Sequence, residues 1–172
     1  TMSVVFPAVK ALGEGLGEKL FYLTARTVTA QAARDAFAIL QKQGLRLKRV
    51  FLTAKEKLCP LEEPQCDPEH CPYARGHYDR VNEAVYTFLQ NQDYGGREEL
   101  LDWAEQYQVC PFAFSLDVSS FADAVVGDYN YAFSPTARLK RFFCEGMKGD
   151  YIFLIDEAHN LVDRSREMFS AA

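Results

Sequence analysis

The sequence predicts an α/β fold built on a parallel β-sheet and interrupted by a mainly helical insertion. Helix-like and strand-like segments alternate over residues 1–54. A cysteine-bearing loop then breaks the alternation, and it resumes before an apolar run at Tyr151–Ile155. Alternating strands and helices are typical of parallel sheets, because their crossover connections are usually helical.

The composition is that of an ordinary globular protein. The 172 residues are 48% hydrophobic and 25% charged, which is enough for a sizeable core. The net charge is −5, so a generally basic surface is excluded and nucleic-acid binding would need local basic patches. No apolar run is long enough to span a membrane, and no signal peptide is recognisable. Both termini look like cuts through a longer chain.

The first 54 residues predict the order helix, strand, helix, strand. Apolar residues recur at helical spacing over residues 4–12, and glycines at 13, 15 and 17 end that helix. Lys19–Thr24 is short and apolar, as in a strand. Residues 28–43 are alanine-rich with helical spacing, and residues 49–53 predict a second strand.

The insertion begins with an irregular segment at residues 55–75, rich in proline and cysteine. Helical spacing returns over residues 75–92, with Tyr78 on the predicted inward stripe, and again over residues 97–108. Residues 94–96 between these helices predict a turn. Pro111 suits the first turn of a further helix.

The α/β pattern resumes near residue 121. Residues 121–126 lead into a strand, with residues 127–131 at its carboxyl end, and Ser134-Pro135 predicts the start of a helical piece. The run at Tyr151–Ile155 predicts a strand buried on both faces. Cys144 is interpreted as a small core residue.

The acidic sequence Asp156-Glu157-Ala158-His159 directly follows the last predicted strand. Ligands of open α/β sheets bind outside the carboxyl ends of the strands. An acidic residue there can hold a magnesium ion that bridges nucleotide phosphates, and the next residue can orient or deprotonate an attacking water. The alternative is a solvated acidic helix start, and the tetrapeptide alone does not decide between them.

Four cysteines of the insertion predict a metal or cluster site: Cys59, Cys66, Cys71 and Cys110. Without a secretory signal, disulfides are disfavoured. Four thiolates suit zinc or an iron–sulfur cluster, and the uneven spacing with two Cys-Pro pairs favours the cluster. Zinc and unlinked buried cysteines stay open as alternatives. His70 and His77 are interpreted as surface or supporting groups.

Together these motifs resemble the iron–sulfur superfamily 2 DNA helicases, the DinG-like and XPD-like (Rad3-related) enzymes. The resemblance covers essentially the whole chain, with residues 22–27 similar to motif Ia and residues 156–159 similar to motif II. It implies a fragment of a RecA-like, P-loop-type motor domain. Residues 1–54 and 116–160 would form motor domain 1, residues 55–115 the iron–sulfur domain, and residues 161–172 the start of an arch domain or a linker.

The resemblance also implies residue roles. Asp156 would hold Mg²⁺ through water, Glu157 would activate the water that attacks ATP, and His159 would couple the nucleotide state to the partner motor domain. Arg26 and Thr27 would contact the DNA backbone. The four cysteines named above would hold a [4Fe–4S] cluster. The nearby cations fit solvated surface charges better than a DNA path: Lys55, Lys57, Arg75 and Arg80.

The implied function is part of an ATP-dependent helicase that moves 5′ to 3′ on single-stranded DNA and unwinds forked DNA in repair or replication. We expect a monomer in the bacterial cytoplasm, near the nucleoid, or in a eukaryotic nucleus. The motif G-x-x-x-x-G-K-[ST] and a second motor domain are absent from the sequence. Thr1 would be the last residue of that motif, and the chain alone should not hydrolyse ATP.

Two other functions stay open at this point. The first is a non-enzymatic DNA-binding module that is stapled by zinc or by a cluster. The second is the helicase-like part of a nuclease whose cutting domain lies elsewhere in the protein.

Overall fold

The structure is a computed structural model that describes residues 1–25 and 30–170. The chain divides into two compact units. The first unit comprises Thr1–Arg46 and Asp123–Ala172, and the second comprises Leu47–Ala122. The second unit therefore contains the predicted insertion.

Helices and short strands alternate along the described chain. The strands are β1 (Lys19–Thr24), β2 (Arg49–Phe51), β3 (Tyr94–Gly95), β4 (Ala124–Asp128) and β5 (Tyr151–Ile155). The helices are α1 (Met2–Gly13), α2 (Ala30–Lys42), α3 (Lys55–Leu58), α4 (His77–Asn91), α5 (Arg97–Tyr107), α6 (Pro111–Phe121), α7 (Asn130–Phe133), α8 (Lys140–Phe143) and α9 (Asn160–Phe169).

The first unit contains a parallel sheet with β1 between β4 and β5. Every residue of β1 is buried. The ring of Phe21 lies 5.0–5.4 Å from four other aromatic rings, those of Phe142, Phe143, Tyr151 and Phe153. The central strand is therefore packed into an aromatic core.

Strand β5 occupies its predicted position, but the prediction that it is buried on both faces is wrong. Its residues are half-exposed, and Phe153 is 41% exposed. In this unit β5 pairs with β1 alone and lies at the edge of the three strands. An apolar run shows which residues can be buried, but not which neighbours cover them.

Residues 94–96 do not form the predicted turn. Tyr94 and Gly95 instead form β3, which pairs in parallel with Arg49 and Val50 of β2. A Cβ at Gly95 would lie 3.2 Å from the ring of Phe88, so the bare backbone lets this pair pack closely on α4. The glycine that suggested a turn is therefore explained by the close approach of the backbone at Gly95 to Phe88.

The helix predicted to start at Ser134 starts only at Lys140. The Ser134 hydroxyl accepts the N–H groups of Thr136 and Ala137, at 3.3 and 3.2 Å. This side chain holds a turn in place of the first helical turn. The earlier helix α7 was not predicted.

Two predicted core residues are exposed. Cys144 is exposed at the end of α8, where Leu139 and Phe142 are the buried side chains. Tyr78 is 86% exposed, because the buried stripe of α4 begins at its neighbour His77. A shift of one residue is enough to move a side chain off the buried face of a helix.

The second unit has its core between α4, α5 and α6. The ring of Phe88 lies edge-on to Trp103 and Phe114, at 5.5 and 5.6 Å, and Phe88 and Phe114 are buried. Pro111 begins α6 as predicted. Within the described residues, no helix has the length and apolar character needed to cross a membrane.

Lys19, the first residue of β1, is a buried cation. It is 7% exposed, and its Nζ lies 5.4 Å from the centre of the Phe142 ring. Burial lowers the pKa of Lys19 to about 8, and the charge of Asp123 offsets only part of that effect. Desolvation therefore outweighs the favourable contacts of this ammonium group.

The low pKa of Lys19 should make the stability of the fold depend on pH. The unfolded chain holds this proton up to pH 10.5 and the folded chain only to about 8, so stability should rise with pH between these values. Relative to Lys19→Met, the wild type should gain about 1–3 kcal/mol from pH 7 to pH 10. Urea unfolding at both pH values measures the gain. Lys10→Met, at an exposed position, is the control, and parallel profiles for wild type and Lys19→Met would contradict the prediction.

Candidate functional site

Backbone hydrogen bonds join the carboxyl ends of β1, β4 and β5. The N–H of Tyr129 donates to the carbonyl of Thr24 at 3.1 Å, and the N–H of Asp156 donates to the carbonyl of Leu23 at 2.9 Å. Because the three strands are parallel, the residues that follow them meet at one edge of the sheet. This is the edge at which α/β proteins bind ligands.

The hydroxyl of Tyr129 fixes the turn after β5. The side chain is fully buried, and its single O–H is shared between the carbonyl of Asp156 and, at 2.9 Å, the carbonyl of Glu157. Burial, and then the charges of Asp156, Glu157 and Asp128, raise the pKa of Tyr129. The hydroxyl therefore stays protonated and remains a donor.

Glu157 has an unusual backbone conformation, with φ at +50°. A residue with a Cβ costs roughly 1–2 kcal/mol in this left-handed region. Such strained residues are concentrated at functional sites. Its side chain is half-exposed, with Oε2 3.4 Å from Nδ1 of His159. The buried Tyr129 hydroxyl holds the Glu157 carbonyl and so supports this conformation.

Asp156 is linked to the strand beside it through Tyr22. The Tyr22 side chain is 2% exposed, and its hydroxyl feels the charge of the Asp156 carboxylate. Burial first, and then the Asp156 charge, raise the pKa of Tyr22, so its hydroxyl stays protonated. Tyr22 therefore presents a neutral hydroxyl, rather than a second negative charge, to Asp156.

An open cleft lies beside this group in the first unit. Its lining includes Ala25, Tyr129, Glu157, Asn160 and Arg164. With Asp163 and Glu167 it offers three carboxylates, an amide and a guanidinium within one opening. These groups suit a hydrated cation or a phosphate-bearing ligand.

Arg164 was missed by the sequence analysis. Its Nη2 lies 3.4 Å from Oδ2 of Asp128, and its Nη1 lies 3.2 Å from Oε2 of Glu167. It thus connects α9 to the end of β4. No motif marks it, because the pairing joins residues 36 positions apart in the sequence.

The structure brings together the predicted catalytic residues Asp156, Glu157 and His159. The predicted DNA-binding residues Arg26 and Thr27 lie outside the described residues. Their role stays a prediction.

The four predicted ligand cysteines share one neighbourhood in the second unit. Burial, and then the charges of Cys66 and Cys71, raise the pKa of the Cys110 thiol. A hydrogen bond to Cys66, with the charges of Cys66, Cys110 and Cys59, raises the pKa of Lys55. One ammonium group therefore interacts with three of the four thiols.

These thiols match an iron–sulfur cluster in donor chemistry, but they are not closed around a common point. In residues 1–25 and 30–170, no three side chains of the types Cys, His, Asp and Glu form a ready-made metal site. The thiols would have to draw together when a metal or cluster binds. Thiolates repel one another, and a bound cation removes that repulsion.

The two histidines of this unit have structural contacts. His70 lies against Asp67, with Nδ1 2.7 Å from Oδ1, and is exposed. His77 is buried, and its Nδ1 accepts the N–H of Cys110 at 3.2 Å. His77 therefore supports the Cys110 backbone.

The sequence model of the DEAD_2 family matches residues 28–172. The chain belongs to this family of XPD/Rad3-like helicase domains. This membership confirms the predicted resemblance to the XPD-like (Rad3-related) helicases. No curated protein sequence matches the chain significantly.

Two solved structures are similar to this DEAD_2 chain. One, described as "XPD_Helicase", is 18% identical with a TM-score of 0.56, and the match covers 94% of this chain and 28% of that one. The other, described as "Truncated XPD", is 21% identical with a TM-score of 0.60, and the match covers 98% of this chain and 48% of that one. The chain therefore spans less than half of either relative. The similarity confirms the predicted RecA-like parallel-sheet fold.

Removal of the Tyr129 hydroxyl should destabilise the DEAD_2 fold. In Tyr129→Phe the carbonyls of Asp156 and Glu157 lose a buried donor, which should lower the free energy of unfolding by about 1–3 kcal/mol. Urea unfolding measures the loss. Tyr86→Phe, at a 65% exposed position, should have almost no effect. If both variants unfold like the wild type, the hydroxyl does not hold the turn.

Proposed function

We propose that this DEAD_2 chain is part of the first motor domain of an ATP-dependent DNA helicase. The observation that carries the proposal is the connected group at the carboxyl edge of the sheet. Tyr22 presents a neutral hydroxyl to the Asp156 carboxylate, and the Tyr129 hydroxyl bonds the carbonyl of the next residue, Glu157, which has a left-handed conformation. A cation-binding carboxylate next to a strained acidic residue suits nucleotide hydrolysis.

Each residue of this group has a distinct proposed role. The Asp156 carboxylate would hold Mg²⁺ through water, at the side of the phosphates. Glu157 would position a water and accept its proton as the oxygen attacks the γ-phosphorus. The bond from that phosphorus to the β–γ bridging oxygen breaks, and ADP and phosphate leave.

His159 and Thr1 have supporting roles in the proposal. His159, 3.4 Å from Glu157, would transmit the nucleotide state to a second motor domain. Thr1 would be the last residue of a phosphate-binding motif. Hydrolysis would belong to a longer protein that also supplies that motif and the second motor domain.

The second unit would hold a [4Fe–4S] cluster through Cys59, Cys66, Cys71 and Cys110. Their shared electrostatic neighbourhood supports this assignment. Bound there, the cluster would act as a structural staple for a segment that has little regular structure. Zinc in the same thiols is the alternative, and metal analysis separates the two.

The DNA-related part of the proposal rests on membership of the family. Single-stranded and forked DNA would be the substrates, with Arg26 and Thr27 on the DNA backbone. Movement from 5′ to 3′, a monomeric state, a role in repair or replication, and a nucleoid-associated or nuclear location complete the proposal.

Substitution of either acidic residue should abolish ATP hydrolysis in a longer protein that contains this chain. Asp156→Asn removes the charge that holds Mg²⁺, and Glu157→Gln removes the proton acceptor. Each should lower DNA-stimulated ATPase activity by about 100-fold or more while DNA binding is retained. Steady-state phosphate release and fluorescence anisotropy measure the two properties.

Asp35→Asn is the matched control, because this exposed carboxylate belongs to the same unit but lies outside the cleft lining and accepts a hydrogen bond from Gln31. It should leave hydrolysis nearly unchanged. If the longer protein binds DNA but never hydrolyses ATP, a non-enzymatic DNA-binding module is the correct function. The 172-residue chain alone should be inactive, and robust ATPase activity from it would contradict the assignment of missing motifs.

Loss of any one ligand cysteine should abolish the cluster. Protein purified without oxygen should contain iron and acid-labile sulfide, and Cys→Ser at 59, 66, 71 or 110 should remove both. Cys144→Ser should retain them, because Cys144 is exposed and belongs to the first unit. Stoichiometric zinc without sulfide would contradict the cluster, and loss of iron in Cys144→Ser alone would contradict the ligand assignment.

A further inference from the structure

Two of the proposed ligands, Cys71 and Cys110, are 39 positions apart in the sequence. Cys71 ends a turn in the irregular loop, and Cys110 immediately precedes α6. No sheet pairing joins these segments among the described residues of the unit. Other contacts must therefore fix the spacing of the two thiols.

Arg75 holds the turn that carries Cys71. Its Nε donates to the carbonyl of Pro68 at 3.0 Å, and its Nη2 donates to the carbonyl of Glu69 at 3.1 Å. Within the turn, the N–H of Cys71 donates to the carbonyl of Asp67 at 2.9 Å. The guanidinium thus fastens the Cys71 turn to the residues that follow it.

Arg80 connects that loop to the segment before Cys110. Its Nη2 donates to the carbonyls of Arg75 and Gln108, at 2.7 and 2.6 Å. Its Nε donates to the carbonyl of Tyr107 at 3.1 Å. One half-buried guanidinium therefore bonds both segments, two residues away from Cys110 on one of them.

The backbone at Gly76 leaves the space that the Arg80 guanidinium occupies. Gly76, the residue before α4, has φ +67°, and a Cβ there would lie 2.5 Å from Nη1 of Arg80. The next residue, His77, accepts the N–H of Cys110. The start of α4 is thus shaped to hold both cysteine-bearing segments.

These contacts show that Arg80 is a half-buried structural group rather than a solvated surface charge, whereas Arg75 stays exposed as expected. The donors of the two side chains are directed at five carbonyl groups of the chain itself. Only arginine presents several donors in one planar fork, so lysine could not bond both segments equally well. No sequence motif marks this role, because the acceptors are backbone atoms.

We propose that Arg75 and Arg80 are positioning residues of the cysteine site, which set the spacing of Cys71 and Cys110 through backbone carbonyls. The inference rests on the proposed metal or cluster site in the second unit. Groups that support metal ligands typically change metal affinity by about 10–100-fold when they are removed. The two arginines should act in this way without touching the metal.

Cobalt(II) binding to the reduced 172-residue chain tests the proposal. Arg80→Gln should weaken binding at least tenfold and reduce the thiolate-to-cobalt absorption at saturation, because fewer thiols reach the ion. Arg80→Lys should retain part of the cobalt affinity and part of the absorption, because lysine keeps N–H donors and the positive charge. Arg75→Gln, at an exposed position, should keep the fold and lose affinity through the Cys71 turn.

Ala84→Gly is the matched control. Ala84 is buried in the middle of the same helix. The substitution should therefore lower the stability of the fold without changing either cysteine-bearing segment. If Ala84→Gly and Arg80→Gln weaken cobalt binding equally at equal stability, the arginine acts only through stability and the proposal is wrong. Unchanged binding and absorption in both arginine variants would also overturn it.

A metal-free measurement separates this inference from the proposed cluster. Hydrogen exchange of the Cys110 amide, relative to that of Leu100 in α5, should rise at least tenfold in Arg80→Gln and not in Ala84→Gly. An unchanged ratio in Arg80→Gln overturns the positioning role, whatever metal the wild type binds. A wild-type chain that shows this response but binds neither iron nor cobalt overturns the cluster alone.

Discussion

The proposed nucleotide site at the carboxyl edge of the sheet depends on the buried hydroxyl of Tyr129. Tyr129 follows β4, but its hydroxyl contacts the turn that follows β5 and shares its one hydrogen between two carbonyls there. The parallel strands bring these segments together, and the hydroxyl supports Glu157 in a conformation that its Cβ disfavours.

The same physical device appears in the second unit. Irregular segments leave carbonyl groups without secondary-structure partners, and side-chain donors can bond them. The Tyr129 hydroxyl bonds such carbonyls beside Glu157, and Arg75 and Arg80 bond them around the cysteines. In both units, side-chain donors therefore fix the backbone next to the proposed site residues.

The regular elements were largely predictable, because they follow from local patterns. Lys19–Thr24 and Tyr151–Ile155 form strands with the predicted bounds, and Pro111 begins a helix as expected. The errors came from interactions that local patterns do not contain. Gly95 looked like part of a turn and is paired in parallel, and Ser134 looked like a helix start and holds a turn.

The sequence by itself determined which chemical groups the proposed sites contain: a DEAH motif after an apolar strand, three thiols in an irregular loop and a fourth directly before α6. Spacing along the chain is sufficient for that, because motifs are local. Only the tertiary structure decided which groups orient them. The charge of Asp156 acts on Tyr22, and Arg80 donates to the carbonyl of Gln108, although the residues of each pair are far apart in the sequence. Such contacts depend on strand order and helix packing, which no local pattern encodes.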